Sequence, residues 1–476
     1  MLLVLKKIIA HSGISFGTSG ARGLVVDFTD DVCAAFTQSF IVSMRADFNF
    51  KRVALGIDNR PSSKRMAAAC AGALFAMGYE VDYYGVLPTP ALAYQAMLDS
   101  VPAIMVTGSH IPFDRNGLKF YRPDGEISKD DENKIISLND YLISFSPNLP
   151  PTSLQACQNY IKRYLNFFPE GFLSGKNIGI YEHSSAGRDL YKIVFEKLGA
   201  VVTSLERTDN FVPIDTEAVS EADQAKGLSW SKKYSFDAIF STDGDGDRPL
   251  IADEMGRWLR GDIVGLLCAK ALGIKELAIP VSCNTAVEQS GFFSKVIRTK
   301  IGSPYVIAAF SSLNNAVAGF EANGGFLLAT DIHSSSASLT ALPTRDALLP
   351  ALALLSLTGK NPLSELVASL PQRFTCSDRL QNVSNTLSSV FIETALSEPQ
   401  QLMIDLGLSE KMIVNLDQTD GLRFTFVDGD ILHFRPSGNA PELRVYVESI
   451  SIEGSLVLLN TALKGCTKLL KDVTVK

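Results

Sequence analysis

One local pattern occurs three times along the chain: an apolar run, a polar loop, a helix-like stretch, a glycine and a second apolar run. The copies begin at Lys51, Lys176 and Lys275, and the third, with a helix expected near Thr285–Ser294, is looser. Strand, loop, helix, turn and strand in this order is typical of a βαβ unit. The copies are separated by domain-sized lengths, which excludes a solenoid of short repeats. The pattern therefore predicts three related α/β domains in series.

The last part of the chain has a different pattern. Leu422-Arg-Phe-Thr-Phe and Ile431-Leu-His-Phe alternate around Asp428-Gly429, which predicts a β-hairpin. With 476 residues the chain exceeds what one hydrophobic core usually supports. The predicted fold class is α/β, with three related α/β domains and a smaller C-terminal α+β domain. The predicted domains are residues 1–150, 151–256, 257–370 and 371–476.

Composition excludes several classes of partner. The net charge is −7, which argues against broad binding to nucleic acid or to an anionic membrane. No apolar run approaches the roughly 20 residues of a membrane span, and the N-terminus lacks the charge order of a signal peptide. Seven scattered cysteines without a CxxC motif indicate reduced thiols. We therefore expect a cytoplasmic protein.

The acidic segment 241–248, Ser-Thr-Asp-Gly-Asp-Gly-Asp-Arg, is the strongest chemical signal. Its carboxylates at Asp243, Asp245 and Asp247 repel one another unless a cation is bound, and the glycines allow a tight turn. We predict that they bind one hard metal ion. An EF-hand is the rival: Glu254 falls at its twelfth position, but Arg248 stands where position six requires glycine. An acidic turn without metal is the other alternative.

A second polar segment, Thr107-Gly108-Ser109-His110, follows the apolar run Ala103–Val106. Ser109 is therefore expected on a loop just beyond a strand end, where α/β sheets place their sites. The segment lacks the GxSxG elbow, which argues against a hydrolase triad. His110 is a candidate base, although an adjacent residue rarely faces the hydroxyl of its neighbour. The alternative is a polar turn with a capping serine.

Three further loops contain candidate binding groups. The Gly-rich loop with Arg22 and the loop Arg435-Pro-Ser-Gly-Asn-Ala-Pro offer guanidinium, hydroxyl and backbone N–H groups that suit a phosphate dianion. The loop at residues 319–325 presents Glu321 and Asn323, either to sugar hydroxyls or as an ordinary tight turn. Lys300 is a pocket cation or a solvated one.

In this order the motifs resemble those of the α-D-phosphohexomutase superfamily, closest to bacterial phosphomannomutases and phosphoglucomutases. The resemblance covers essentially the whole length, through FGTSGARG, TGSHIPFDRNGLK, DGDGDR, a Glu-bearing loop and RPSGNAPELR. It implies four domains around a central cleft and an isomerase that interconverts hexose 1-phosphate and hexose 6-phosphate. It also implies an active-site phosphoserine, a hexose 1,6-bisphosphate that is both intermediate and activator, and a monomer or weak homodimer with sugar phosphates as partners.

The resemblance also implies roles for individual residues. Ser109 would carry the phosphoryl group and bind one Mg²⁺ together with the three aspartates. The implied catalytic residues are Ser109, Arg22, Lys119 and His110, and the implied substrate-binding residues are Arg248, Lys300, Glu321, Asn323, Arg435, Ser437, Gly438 and Asn439. Because phosphoserine and three carboxylates outweigh one divalent cation, we expect Arg22, Lys119 and Arg248 to face this centre.

Departures from the family pattern leave the sugar and the general acid/base open. Ile111 stands where Asn is usual, and Ser303 stands where some bacterial relatives carry histidine. The Glu-Ala-Asn-Gly-Gly loop favours mannose phosphate as substrate. The alternatives are a phosphoglucomutase, a phosphoglucosamine mutase, a metal-dependent sugar phosphatase and a sugar-phosphate-binding protein.

Overall fold

The computed structural model describes residues 3–17, 20–334, 337–359, 361–437 and 441–474. The chain divides into two compact units, residues 1–278 with 302–367, and residues 279–301 with 368–476. Both units combine β-sheet with covering helices, which confirms the predicted α/β class. The division into four domains at the boundaries given above stays a prediction.

The first sheet contains the site loop that carries Ser109. Its strands are β1 (Ser15–Phe16), β2 (Ala21–Leu24), β3 (Arg52–Ile57), β4 (Glu80–Val86), β5 (Ala103–Val106), β6 (Arg115–Arg122) and β7 (Gly125–Glu126), and its helices are α1 (Leu5–His11), α2 (Asp30–Met44), α3 (Ser63–Ala76), α4 (Thr89–Asp99) and α5 (Lys129–Ser137). The strand order is β1-β2-β6-β5-β3-β4, with β7 beside β6. β3 is parallel to β4 and β5. β5 is buried throughout, as its unbroken apolar sequence predicts for a parallel strand covered on both faces.

The second sheet presents the acidic segment. Its strands are β8 (Asn177–Tyr181), β9 (Val201–Leu205), β10 (Ala238–Thr242) and β11 (Pro249–Ala252), with α6 (Gln155–Phe167), α7 (Arg188–Lys197) and α8 (Glu221–Tyr234). The order is β11-β10-β8-β9. β10 and β11 pair antiparallel, with Thr242 opposite Pro249. The acidic residues therefore form the tight connection between two fully buried strands.

The third sheet of the first unit presents Glu321 and Asn323. Within this unit its strands are β12 (Glu276–Pro280), β14 (Val317–Phe320), β15 (Phe326–Leu328) and β18 (Leu342–Asp346). They are accompanied by a ribbon of β16 (Ile332–His333) and β17 (Ser338–Leu339), by the helices α9 (Gly261–Ala271), α11 (Ser303–Ala309), α12 (Leu348–Thr358) and α13 (Leu363–Ala368), and by a 3₁₀ turn at Phe310–Ser312. β14 and β15 form a hairpin whose connection is residues 321–325.

The second unit has one antiparallel sheet. The strands of this sheet are β19 (Phe374–Gln381), β20 (Ile413–Asp417), β21 (Leu422–Phe426), β22 (Ile431–Pro436) and β23 (Glu442–Ser449). The unit also contains β13 (Lys295–Thr299) and the helices α10 (Ala286–Gln289), α14 (Asn385–Ser397), α15 (Pro399–Asp405) and α16 (Ile452–Thr474). The sheet order is β19-β23-β22-β21-β20. The predicted hairpin is confirmed: β21 pairs with β22, and Gly429 turns the chain with φ of 81°. The helix expected near Thr285–Ser294 is wrong beyond Gln289, because the chain turns at Gly291 with φ of 69°.

Two features of the described residues relate to the predictions from composition. None of the seven cysteines, all of which lie in the described residues, forms a disulfide bond. Among the helices of the described ranges, none has the combination of length and hydropathy that a membrane span needs.

A buried carboxylate connects α6 to β18. Tyr160 donates a hydrogen bond of 2.6 Å to Asp346 Oδ1, and Tyr164 donates to Asp346 Oδ2. Asp346 Oδ1 also accepts from the backbone N–H of Leu348 at the start of α12. All three side chains are buried, so these hydrogen bonds have no competing water.

We predict that Asp346→Ala lowers the free energy of unfolding by about 2–4 kcal/mol, because two buried tyrosine hydroxyls lose their acceptor. Urea unfolding followed by circular dichroism measures the change. Asp378→Ala, at an exposed position of β19, is the control. A loss no larger than that of the control would contradict the prediction.

Candidate active site

Ser109 lies on the connection between β5 and β6, buried and with a left-handed backbone (φ 53°). A residue other than glycine in this conformation is strained, and surrounding structure must hold it there. The Ser109 hydroxyl donates a hydrogen bond of 2.6 Å to Asp243 Oδ2, while His110 Nδ1 is 3.4 Å from Oγ. The predicted contact between the serine and the acidic segment is therefore present.

Arg60 holds the backbone of the serine loop. Its Nη2 donates to the carbonyl oxygens of Ser109 (2.9 Å) and Ile111 (2.5 Å), and its Nη1 donates to those of Pro112 (2.7 Å) and Arg115 (2.8 Å). Four carbonyl groups on one planar guanidinium leave the loop little freedom.

The surroundings of Arg60 complete this frame. Asp58 Oδ2 lies 3.3 Å from Arg60 Nε and accepts a hydrogen bond of 2.8 Å from Thr107, two residues before the serine. The guanidinium carbon lies 3.9 Å from the ring centroid of Phe211, which comes from the loop after β9. Arg60 thus joins the serine loop to the second sheet.

The three aspartates converge as predicted. Their carboxylate oxygens lie within 4.8 Å of one another, and all three side chains are buried. Both glycines between them are required by close contacts. A Cβ on Gly244 would lie 2.8 Å from the Ser109 carbonyl oxygen, and Gly246 has φ of 71° with the Tyr191 hydroxyl 2.4 Å from the Cβ position. Gly244 is therefore required by packing against the serine loop, and Gly246 by its positive φ and its contact with Tyr191.

Buried cations balance this negative charge. Lys119 Nζ lies 2.6 Å from both Asp245 Oδ2 and Asp247 Oδ2, and Arg248 Nε lies 3.9 Å from Asp243 and 3.8 Å from Asp247. Burial acts to raise the pKa of Asp245, but Lys119 together with the hydrogen bonds from Thr89 and Asp243 outweighs burial, and the pKa is lowered. The pKa of Asp243, in contrast, is raised by burial and then by the two other carboxylates.

The acidic segment fits a hard divalent cation. Within the described residues, Asp245 Oδ1 and Asp247 Oδ1 are buried and have no hydrogen-bond partner. Such oxygens are costly to bury unless a cation binds them, and carboxylate oxygens are the ligands that Mg²⁺ prefers. The donor set therefore agrees with the prediction of one Mg²⁺.

His110 is a neutral imidazole in this arrangement. Arg248 Nη1 lies 3.0 Å from His110 Nδ1, and since arginine only donates, Nδ1 accepts and Nε2 carries the proton. Arg248 first, and burial second, lower the pKa of His110 to about 2. Asp243 is thus the closer acceptor for the Ser109 hydroxyl, and His110 lies beside it.

Arg22 lies on β2, where it pairs with Gly117 of β6. Burial, and then the neighbouring Arg248, lower the pKa of Arg22 to about 10, so it stays protonated at neutral pH. Arg22 interacts electrostatically with Arg248, Asp245 and Asp247. These interactions agree with the expectation that Arg22 faces the acidic centre.

The loop between β14 and β15 places its two polar residues differently. Glu321 Oε2 accepts a hydrogen bond of 2.9 Å from Arg345. Asn323 Oδ1 accepts from the N–H of Gly325 (2.9 Å), and the carbonyl of Asn323 accepts from Thr216 (2.8 Å). The Asn323 side-chain oxygen therefore shapes the loop, while Glu321 belongs to a charged network.

The remaining predicted residues lie in the second unit. Asp420 Oδ2 accepts from Arg435 Nε (2.7 Å) and from the N–H of Ile301 (3.0 Å), so the strand end of Arg435 lies close to the segment of Lys300. Ser437 is buried, and its N–H donates to the carbonyl of Glu442. Gly438 and Asn439 lie outside the described residues.

Comparison with known proteins agrees with this geometry. The family descriptions that match are phosphoglucomutase/phosphomannomutase alpha/beta/alpha domain I (residues 13–140), alpha/beta/alpha domain III (residues 260–374) and C-terminal domain (residues 393–453). A phosphomannomutase of Salmonella muenchen is 58% identical and covers 96% of both chains. A phosphomannomutase of Sinorhizobium fredii is 42% identical over 92% of this chain and 95% of its own.

A crystal structure of a phosphoglucomutase/phosphomannomutase family protein from Burkholderia thailandensis has the same fold. Its TM-score is 0.73 at 19% identity, over 96% of this chain and 97% of the other. The fold and the sequence together define an enzyme of the hexose phosphate mutase class. The chain belongs to the phosphoglucomutase/phosphomannomutase family, as its motifs indicate.

Sequence reasoning missed two arginines of this centre, Arg60 and Arg345. Arg60 lies in Asp58-Asn-Arg-Pro-Ser, a sequence that predicts only a polar loop. Its position just after β3 could have indicated a site residue, because α/β sheets place their sites beyond strand ends. Arg345 lies in a strand without any motif around it, and no local signal could have identified it.

We predict that Arg60→Lys lowers kcat roughly 100-fold with little change in KM, because one ammonium cannot hold four carbonyl groups and the serine hydroxyl is misplaced. Steady-state kinetics of hexose phosphate isomerisation measure both constants. Arg52→Lys, a half-exposed arginine on the same sheet, is the control. A folded Arg60→Lys enzyme with the kcat of the control would contradict the prediction.

Proposed function

We propose that this enzyme interconverts mannose 1-phosphate and mannose 6-phosphate through a phosphoserine at Ser109 and a mannose 1,6-bisphosphate intermediate. The observation that carries the proposal is the 2.6 Å hydrogen bond from Ser109 Oγ to Asp243, which joins a hydroxyl nucleophile to the acidic trio. The names of the two bacterial relatives and the Glu-Ala-Asn-Gly-Gly loop favour mannose over glucose or glucosamine.

The proposed reaction conserves the phosphoryl group. The free hydroxyl oxygen of the hexose monophosphate attacks the phosphorus, the bond from phosphorus to Ser109 Oγ breaks, and the proton of the sugar hydroxyl ends on Ser109. The bisphosphate then reorients in the site so that its other phosphate faces Ser109. That phosphoryl group is transferred to Ser109 by the reverse step. Transfer of this kind needs alignment and charge neutralisation more than covalent catalysis.

The residues of the centre suit these needs. Lys119 and Arg248, both within 4 Å of the acidic trio, and the nearby Arg22 supply positive charge. Asp243, Asp245 and Asp247 would hold Mg²⁺ together with the Ser109 oxygen. The ion would neutralise charge on the phosphoryl group during transfer. His110, held neutral by Arg248, is proposed to contact the same group.

The chemistry of the remaining residues suggests which part of the substrate each one contacts. Glu321 and Asn323 are proposed to contact sugar hydroxyls, and Lys300 to contribute a cation. Arg435, Ser437, Gly438 and Asn439 are proposed to hold the phosphate that does not react. Because the bisphosphate reorients between the two transfers, this phosphate site must accept the phosphate at either end of the sugar. A guanidinium with N–H donors can do so, since it recognises phosphate independently of the carbon skeleton.

We predict that Ser109→Ala lowers turnover of mannose 1-phosphate by at least about 10⁴-fold, because the phosphoryl acceptor is removed. A coupled assay for mannose 6-phosphate, started with mannose 1,6-bisphosphate, measures turnover. Labelled bisphosphate should also label the wild-type protein but not the variant. Ser137→Ala, an exposed serine of α5, is the control.

The same assay separates the alternatives. Glucose and glucosamine phosphates, each with its own bisphosphate, test the choice of sugar. Steady release of inorganic phosphate without hexose 6-phosphate would indicate a phosphatase, and retained turnover in Ser109→Ala would refute the proposed nucleophile. Absence of any turnover with Mg²⁺ and bisphosphate would indicate a binding protein.

We predict that chelation of divalent ions abolishes activity, that Mg²⁺ restores it, and that Asp245→Asn weakens metal binding at least about 10-fold by removing a charged ligand. Calorimetric titration of Mg²⁺ in the absence of sugar measures the affinity directly. Asp124→Asn, an exposed carboxylate of the turn between β6 and β7, is the control. Equal affinities of the two variants would exclude the acidic trio as the metal site.

A further inference from the structure

Arg345 is a buried arginine outside every sequence motif of the family resemblance. It lies in β18, next to the strand β15 that follows the Glu321 loop, and only 2% of its side chain is exposed. A guanidinium is rarely buried unless its partners repay the cost of removing it from water. Its partners therefore indicate what it does.

One guanidinium connects two loops that serve different purposes. Arg345 Nε donates to Asp247 Oδ2 at 3.1 Å, and Arg345 Nη1 donates to Glu321 Oε2 at 2.9 Å. Asp247 belongs to the acidic trio, and Glu321 belongs to the loop between β14 and β15. Because the guanidinium is planar and rigid, it fixes the separation and relative orientation of the two carboxylates.

The arginine itself is held from both sides. A Cβ on Gly325 would lie 2.6 Å from Arg345 Cδ, so the Glu321 loop packs directly on the aliphatic part of the side chain. The next residue, Asp346, is held by Tyr160, Tyr164 and the start of α12. The position of the guanidinium is thus set by packing and does not depend on the carboxylates alone.

The charge of Arg345 is maintained despite its burial. Its nitrogens lie 3.1 Å from Asp247 and 2.9 Å from Glu321, and these two carboxylates offset the cost of burying the cation. Without Arg345, Glu321 would be a buried carboxylate that has lost the guanidinium donor to its Oε2, with Arg248 left as a neighbouring cation. It would then rotate toward water or another donor.

We infer that Arg345 is a positioning residue that orients Glu321 against the metal-binding loop and thereby sets which hexose hydroxyls the enzyme accepts. The inference rests on the proposed function, in which Glu321 contacts the sugar. Mannose and glucose differ only in the configuration of one hydroxyl group. A carboxylate held within a few tenths of an ångström distinguishes the two configurations, whereas a mobile carboxylate accepts both.

The test compares Arg345→Lys with the wild-type enzyme. A lysine keeps the charge but replaces the planar, rigid guanidinium with one compact ammonium group, which cannot hold the two carboxylates in the same relative orientation. We expect KM for mannose 1-phosphate to rise about 10-fold with a smaller change in kcat, since a charged hydrogen bond to the substrate site is lost. The ratio of kcat/KM for mannose and glucose 1-phosphates should move toward one.

Direct binding supplies a second readout. In a Ser109→Ala background, which cannot turn over, Arg345→Lys should raise the Kd of mannose 1-phosphate about 10-fold by calorimetry. Glu321→Gln should have the same effect. The double variant Arg345→Lys/Glu321→Gln should lose no more than either single variant, because both changes remove one interaction.

Two further variants separate positioning from stability. Arg163→Lys alters another buried arginine, which bonds to Thr340, and should lower the melting temperature without changing the sugar ratio. Gly325→Ala displaces Arg345 from the loop side and should reproduce the change in ratio even where Arg345→Lys folds poorly.

Unchanged KM and an unchanged sugar ratio in folded Arg345→Lys and Gly325→Ala would overturn the inference while leaving the mutase assignment intact. Additive losses in the double variant would also overturn it. A wild-type enzyme that hydrolyses sugar phosphates without isomerising them would instead overturn the proposed function, and this inference with it.

Discussion

The concentration of buried carboxylates at Asp243, Asp245 and Asp247 is the constraint on which the rest of the site depends. Three negative charges within 4.8 Å cannot persist in a buried turn without cations, and the chain supplies Lys119 and Arg345 in direct contact and Arg248 just beyond. These cations come from the first, third and second sheets respectively. Charge balance at one turn therefore holds together loops that are far apart in the sequence.

The serine loop meets this turn through backbone contacts as well as through its hydroxyl. Arg60 binds four carbonyl groups of the loop, and Gly244 leaves room for the Ser109 carbonyl. The two arginines hold different groups: Arg60 binds backbone carbonyl groups of the serine loop, whereas Arg345 binds the carboxylates of Asp247 and Glu321. In both cases a planar group with several donors is needed, which explains arginine instead of lysine at these positions.

Much of the fold was predictable because its signals are local. The first two strand–loop–helix–strand copies match β3-α3-β4 and β8-α7-β9, and the predicted hairpin around Gly429 is present. The third copy was less accurate, since α10 has only four residues and its length is decided by the turn at Gly291. Asp243, Asp245 and Asp247 were predictable from spacing, because alternate carboxylates separated by glycine have no packing role in an ordinary turn.

By itself, the sequence determined the strands, the hairpin and the chemistry of the acidic segment, since each depends on residues a few positions apart. Only the tertiary structure decided which groups meet: Ser109 with Asp243, Arg60 with its four carbonyl groups, and Arg345 with both Asp247 and Glu321. A single arginine or serine has no periodicity, and its role follows from the neighbours that folding brings within hydrogen-bonding distance.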